Sequence, residues 1–141
     1  MILFHDDRCP CGTGEVFGAC CGKFLADFAG GTGITAPTPE ALMRSRFTAF
    51  AVGDEAYLLA SWAARTRPDS LDLDPTLRWY RLDILGTSGG VFDTAGTVEF
   101  AAYYRSKPGT PEDERVKGVQ REKSRFERIG GEWFYVDGEV S

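Results

Sequence analysis

The chain has one histidine, His5, and no cysteine after position 21. It has no run of about 18 apolar residues and no surplus of basic charge. Each of these absences excludes something. With no histidine beyond residue 5, the body of the protein has no imidazole to serve as general acid or base. A glutamate of raised pKa would have to take that role. The lack of a long apolar run argues against a membrane-spanning helix. The start, Met-Ile-Leu-Phe-His-Asp-Asp, has no basic leader, so a cytoplasmic location is expected. The formal net charge of −5 disfavours nucleic acid as a partner, because phosphate neutralisation needs a basic surface. Disulfide frameworks staple distant segments, whereas cysteines confined to the first 21 residues of 141 could staple only their own loop.

What is present starts with those cysteines: Cys9-Pro10-Cys11-Gly12-Thr13-Gly14, then Phe17, then Cys20-Cys21-Gly22. Two short pairs separated by a loop suit tetrahedral zinc, for which thiolate is a good ligand. Ligand type alone admits iron as well. The spacing fits neither a vicinal disulfide nor a redox pair with two intervening residues. His5 could replace one thiol, but it reads better as a surface residue of the terminus. Four protein ligands close the coordination sphere, so the ion is expected to be structural. A segment this short buries no core of its own, and metal binding would supply folding free energy on the order of 10 kcal/mol.

The segment resembles the SEC-C motif, a small zinc-binding module. Cys9–Gly14 match its Cys-Pro-Cys-Gly-Ser-Gly opening with Thr13 for serine, and Phe17 and Cys20-Cys21 complete it. The resemblance implies Cys9, Cys11, Cys20 and Cys21 as zinc ligands and a docking role on a protein partner, with the ribosome or export machinery as candidates. The lysines usual between the two pairs are replaced by Glu15, Val16, Gly18 and Ala19, which shifts the expectation from RNA toward protein.

Gly30-Gly31-Thr32-Gly33 and Pro37 mark residues 25–37 as a linker behind a module spanning 1–24. Thr38, Pro39 and Glu40 then supply an N-cap, a first-turn proline and a first-turn acid. Met43, Phe47, Phe50 and Ala51 follow as one apolar stripe ending at Gly53. Asp54 caps a second short helix carrying Tyr57, Leu58 and Trp62. From Trp79 the period becomes two, with strands expected from Trp79, over 97–105, from about Gly118 to Ile129, and over Trp133–Val136. Gly130-Gly131 is a hairpin signal. Residues 38–141 are therefore expected to form an α+β domain, an antiparallel curved sheet packed with amino-terminal helices.

The stretch Glu40-Ala41-Leu42-Met43-Arg44-Ser45-Arg46-Phe47 resembles the signature helix of the YchJ family. Ala60-Ser61-Trp62, Val98-Glu99-Phe100, Glu122-Lys123-Ser124-Arg125-Phe126 and Trp133–Gly138 fall where that family has equivalents. The resemblance implies a cone-shaped, nuclear transport factor 2-like core and no established enzymatic activity. Arg121 stands where the family usually has histidine. Such a cone offers a mouth between helix and sheet. Arg44, Arg46, Glu99, Glu122, Ser124 and Arg125 are the candidates to line it. They are read first as ion pairs of Arg46 and Arg125 with Glu99 or Glu122, and second as a small-molecule or catalytic pocket. The preferred function is a zinc-binding adaptor connected with protein synthesis, export or quality control.

Overall fold

The computed structural model describes residues 2–141. Three helices, α1 (Cys21–Ala29), α2 (Pro39–Val52) and α3 (Glu55–Ala60), precede four strands, β1 (Leu77–Ser88), β2 (Ala95–Ser106), β3 (Lys117–Ile129) and β4 (Glu132–Val140). The strands form one antiparallel meander in the order β1-β2-β3-β4. Among the described residues no helix is long and apolar enough to cross a membrane.

Helix α2 begins and ends as its sequence dictates. The Thr38 hydroxyl accepts a 3.1 Å hydrogen bond from the Ala41 N–H, and Gly53 closes the helix in the left-handed region. Its burial, however, is not one stripe. Leu42, Met43, Ser45, Arg46, Phe47, Thr48 and Ala49 are all buried, while Phe50 and Ala51 are only half-buried. The reason is that α2 lies between two partners, with the sheet on one side and α1 with the cysteine loop on the other. In α3 the Asp54 side chain accepts from the Tyr57 N–H as expected. Trp62 lies beyond the helix end, bridged to Tyr135 along the edge of β4.

Strand β3 has the expected span, whereas β1, β2 and β4 run longer than their alternation suggested, because hydrogen bonding continues past the last buried residue into exposed ends. Gly130 and Gly131 both take positive φ, 59° and 84°, the conformation a two-residue hairpin demands. Val98, Phe100, Ala102 and Phe126 carry the inner face into a core with Leu42, Phe47, Leu58 and Trp133.

The expected linker over 25–37 is not one. Residues 21–29 are helical, with Cys21, Phe24, Leu25 and Phe28 recurring on one face. Gly30 and Gly31 are its stop, with Gly31 at φ 88°. The chain beyond them is pinned to the last hairpin. The Ile34 N–H donates to the Glu132 carboxylate at 2.6 Å, and the Trp133 indole N–H donates to the Pro37 carbonyl at 3.1 Å. Leu25, Ile34 and Ala36 belong to the same core as the sheet. The cysteine module is thus continuous with the α+β domain, because its helix contributes core residues to that domain.

Candidate functional site

The cysteine loop is laid out by backbone geometry before any ion is considered. Residues 5–8 run back along it: the Phe17 N–H bonds to the Asp7 carbonyl at 2.6 Å and the Gly18 N–H to the His5 carbonyl at 2.9 Å. The Cys9 N–H bonds to the Glu15 carbonyl at 2.9 Å, and Gly12 turns the chain at φ 84°. Cys20 and Cys21 lie at the start of α1, where the helix dipole favours thiolate.

The four Sγ atoms of Cys9, Cys11, Cys20 and Cys21 fall within 4.8 Å of one another, and those of Cys11 and Cys20 are 3.6 Å apart. A tetrahedron of thiolates about 2.3 Å from zinc has edges of about 3.8 Å, so the donor set fits such an ion. Cys9, Cys11 and Cys21 are buried and Cys20 is half-buried. The thiols compete for protons. Hydrogen bonds from Cys11 and Cys21 draw the Cys9 thiol well below its usual range. Cys21 is pushed up, first by its contacts with Cys11 and Cys9 and then by burial. A soft divalent cation removes that conflict by neutralising several thiolates at once.

Helix α2 supplies the surroundings of the sulfurs through two residues at i, i+4 spacing. The fully buried Thr48 places its hydroxyl 3.7 Å from Cys9 Sγ. Arg44 donates from Nη1 to the Cys11 carbonyl at 2.7 Å and from Nε to Glu40 at 3.0 Å. Desolvation is the largest single influence on the Arg44 guanidinium and lowers its pKa. The hydrogen bond to Glu40 and the negative charges of Cys11 and Glu40 together outweigh it, and the pKa is raised. Thr13 adds a hydroxyl 3.2 Å from Cys20 Sγ. Neither Thr48 nor the orientation of Arg44 was anticipated. Their signal was a pair of polar residues four apart in a helix also rich in buried apolar ones.

The six candidates for the mouth of the cone are dispersed. Arg44 is committed to the cysteine loop. Glu99 is exposed on the outer face of the sheet, in register with Lys123. Arg125 is also outside, hydrogen-bonded to Asp137 at 2.6 Å and ion-paired with Glu139 at 3.8 Å, so its ion pairs are not with Glu99 or Glu122. Ser124 is buried and donates to the Glu122 carboxylate at 2.6 Å. Of the six, Arg46 and Glu122 alone border the cavity of about 210 Å³ between α2 and the inner face of the sheet. Strand alternation explains the split. Residues 122 and 124 face inward, whereas 99 and 125 face outward. Arg46 forms no ion pair with either glutamate; its Nη1 donates to the Leu58 carbonyl and the Ser61 hydroxyl, each at 2.7 Å. Its guanidinium carbon lies 5.3 Å from the ring centre of Trp62 and 4.5 Å from that of Tyr135, a double cation–π stack that sequence reasoning missed.

Comparison with known proteins gives a consistent picture. A family model described as the YchJ middle NTF2-like domain matches residues 38–138, and one for the SEC-C motif matches residues 7–23. A UPF0225 protein of Streptomyces avermitilis is 52% identical over 132 residues, covering 93% of this chain and 83% of the relative. One from Corynebacterium glutamicum is 50% identical over 134 residues, covering 94% of this chain and 97% of that one. Among solved structures, a SEC-C motif containing protein from Rhodopseudomonas palustris is similar with a TM-score of 0.75 and 33% identity, covering 95% of this chain and 98% of that one. A SEC-C motif containing protein from Psychrobacter arcticus shares the fold with a TM-score of 0.76 at 24% identity, covering 99% and 86%.

Proposed function

The chain belongs to the family of the YchJ middle NTF2-like domain, here preceded by a SEC-C motif, and on that footing we propose that it is a cytoplasmic zinc-binding adaptor docking on a protein partner linked to protein synthesis, export or quality control. The observation that carries this reading is the convergence of four cysteine sulfurs in a loop whose preceding segment exposes two large apolar side chains. Four thiolates fill a tetrahedral sphere, the arrangement of structural rather than catalytic zinc. The ion's contribution is to hold the loop and the start of α1 together. This chain's own residues do the rest: Arg44 and Thr48 brace the loop against α2, and residues 5–8 are bonded along its edge.

Ile2 is 82% exposed and Phe4 70% exposed on the segment that borders the loop. Exposed apolar side chains beside the loop are suited to contact with a protein surface. Glu15, where a SEC-C motif usually carries lysine, weighs against RNA.

Elemental analysis of protein purified under reducing conditions tests the metal, with about one zinc per chain expected. Substoichiometric metal alongside four free thiols would overturn that half. Docking is tested with an Ile2→Ser, Phe4→Ser double variant, which leaves every ligand in place. Its co-purifying proteins should be depleted relative to wild type, and an unchanged set at equal metal content would sink the adaptor reading.

A further inference from the structure

The cavity under α2 contains a charged group that the fold leaves unpaired. Arg46 is 4% exposed. Of its nitrogens only Nη1 donates, and among the described residues no carboxylate lies within 4.0 Å of the guanidinium. Its Nε and Nη2 groups find no acceptor there either. Burying a cation without a counter-charge is costly, and the two aromatic rings stacked on Arg46 offset only part of that cost. Glu122, also on the cavity wall, is held by Ser124 and forms no ion pair with Arg46, so the two opposite charges line the cavity unpaired with each other. Away from them the wall is apolar, built from Phe47, Phe50, Trp79 and Phe100. The buried indole N–H of Trp62 has no acceptor either, but it is sealed from solvent, so contact with a ligand falls to Arg46.

We propose that this cavity binds a small amino acid with an apolar side chain, its carboxylate against the Nε and Nη2 of Arg46, its ammonium toward Glu122, and its side chain among the aromatic residues. Planar two-point donation from a guanidinium matches a carboxylate. A ligand carrying both charges leaves the cavity neutral, whereas a simple carboxylic acid would leave it with one excess negative charge facing Glu122. A volume of about 210 Å³ is below that of the roughly 300–1,000 Å³ pockets that hold drug-sized molecules, so the ligand has on the order of ten non-hydrogen atoms. Nothing in this inference depends on the metal centre or on docking.

The experiment is titration of the full, metal-loaded chain with four probes, L-phenylalanine, L-leucine, 3-phenylpropionate and phenethylamine, followed by calorimetry and by the indole resonances of Trp62 and Trp79. Saturable binding of the amino acids, at least about tenfold tighter than of phenethylamine, is the expected result. Glu122→Gln should cut amino-acid binding about tenfold while strengthening that of 3-phenylpropionate. Arg46→Lys keeps the charge but loses the planar fork, and it should weaken both carboxylates. Should Arg46→Lys fail to fold, the Glu122→Gln reversal alone decides. No saturable binding by any probe, or phenethylamine binding as tightly as phenylalanine, would overturn the proposal.

Discussion

Arg44 Nη1 donates a 2.7 Å hydrogen bond to the carbonyl oxygen of Cys11, tying the cysteine loop to the central helix of the α+β domain across 33 residues of sequence. The same side chain is anchored by Glu40 one turn earlier. Arg44→Gln should therefore loosen the loop without touching a ligand. A charged hydrogen bond of this kind is worth roughly 1.5–3 kcal/mol, and the half-buried position argues for the lower end. The expected outcome is a lower melting temperature and several-fold faster metal transfer to a chromophoric chelator. Transfer at the wild-type rate would show that the loop holds its ion without help from α2.

Removing the metal should act selectively. Helix α1 starts at Cys21 and sends Leu25 and Phe28 into the core, with Phe28 edge-on to Tyr57 at 5.8 Å. Chelation under reducing conditions is expected to raise hydrogen exchange over residues 21–36, while the paired centres of β2 and β3 stay protected. Uniform loss across the chain would mean that loop and sheet form one cooperative unit.

Glu132→Ala tests the segment misread as a linker. The variant removes the acceptor of the 2.6 Å bond from Ile34 and leaves a half-buried N–H unpaired, at a cost of about 1–3 kcal/mol. Limited proteolysis should then cut within residues 30–37 faster than in wild type, and an unchanged cleavage pattern would contradict the assigned role.

Alkaline pH should unfold the protein through two tyrosines. Burial pushes Tyr57 and Tyr135 each up to about 12. The unfolded value is about 10, so the folded state holds their protons more tightly. The stability this gives is complete below pH 10 and lost as pH rises through 12. Absorbance titration should show two of the five tyrosines ionising late. Tyr57→Phe, which gives up the 2.7 Å contact with the Ser45 hydroxyl, should flatten the fall in melting temperature over that range.

Much of the fold was legible because local chemistry and tertiary structure agree. Thr38, Pro39 and Gly53 bound α2, Gly130-Gly131 turns the last hairpin, and alternation in β2 places Val98, Phe100 and Ala102 inward. Where they disagreed, the reading failed for identifiable reasons. Gly30 and Gly31 read as part of a linker, whereas they end a helix whose apolar face, Cys21, Phe24, Leu25 and Phe28, includes one of the four clustered cysteines. Four of the six polar residues assigned to the mouth do not border the cavity: Arg44 points to the opposite side of α2 from Arg46, Glu99 and Arg125 face outward from the sheet, and Ser124 is buried against Glu122.

The sequence by itself determined the clustering of four cysteines in one short loop, the antiparallel α+β class and the helix and hairpin ends, because residue spacing, side-chain period and backbone freedom are local properties. Only the tertiary structure decided that α1 and the sheet share one core with the cysteines clustered beside it, and that α2 is their common wall. It turns Arg44 and Thr48 to the sulfurs and Arg46 to the cavity. Burial on both sides of a helix depends on what packs against each face, and that is a long-range property no local pattern encodes.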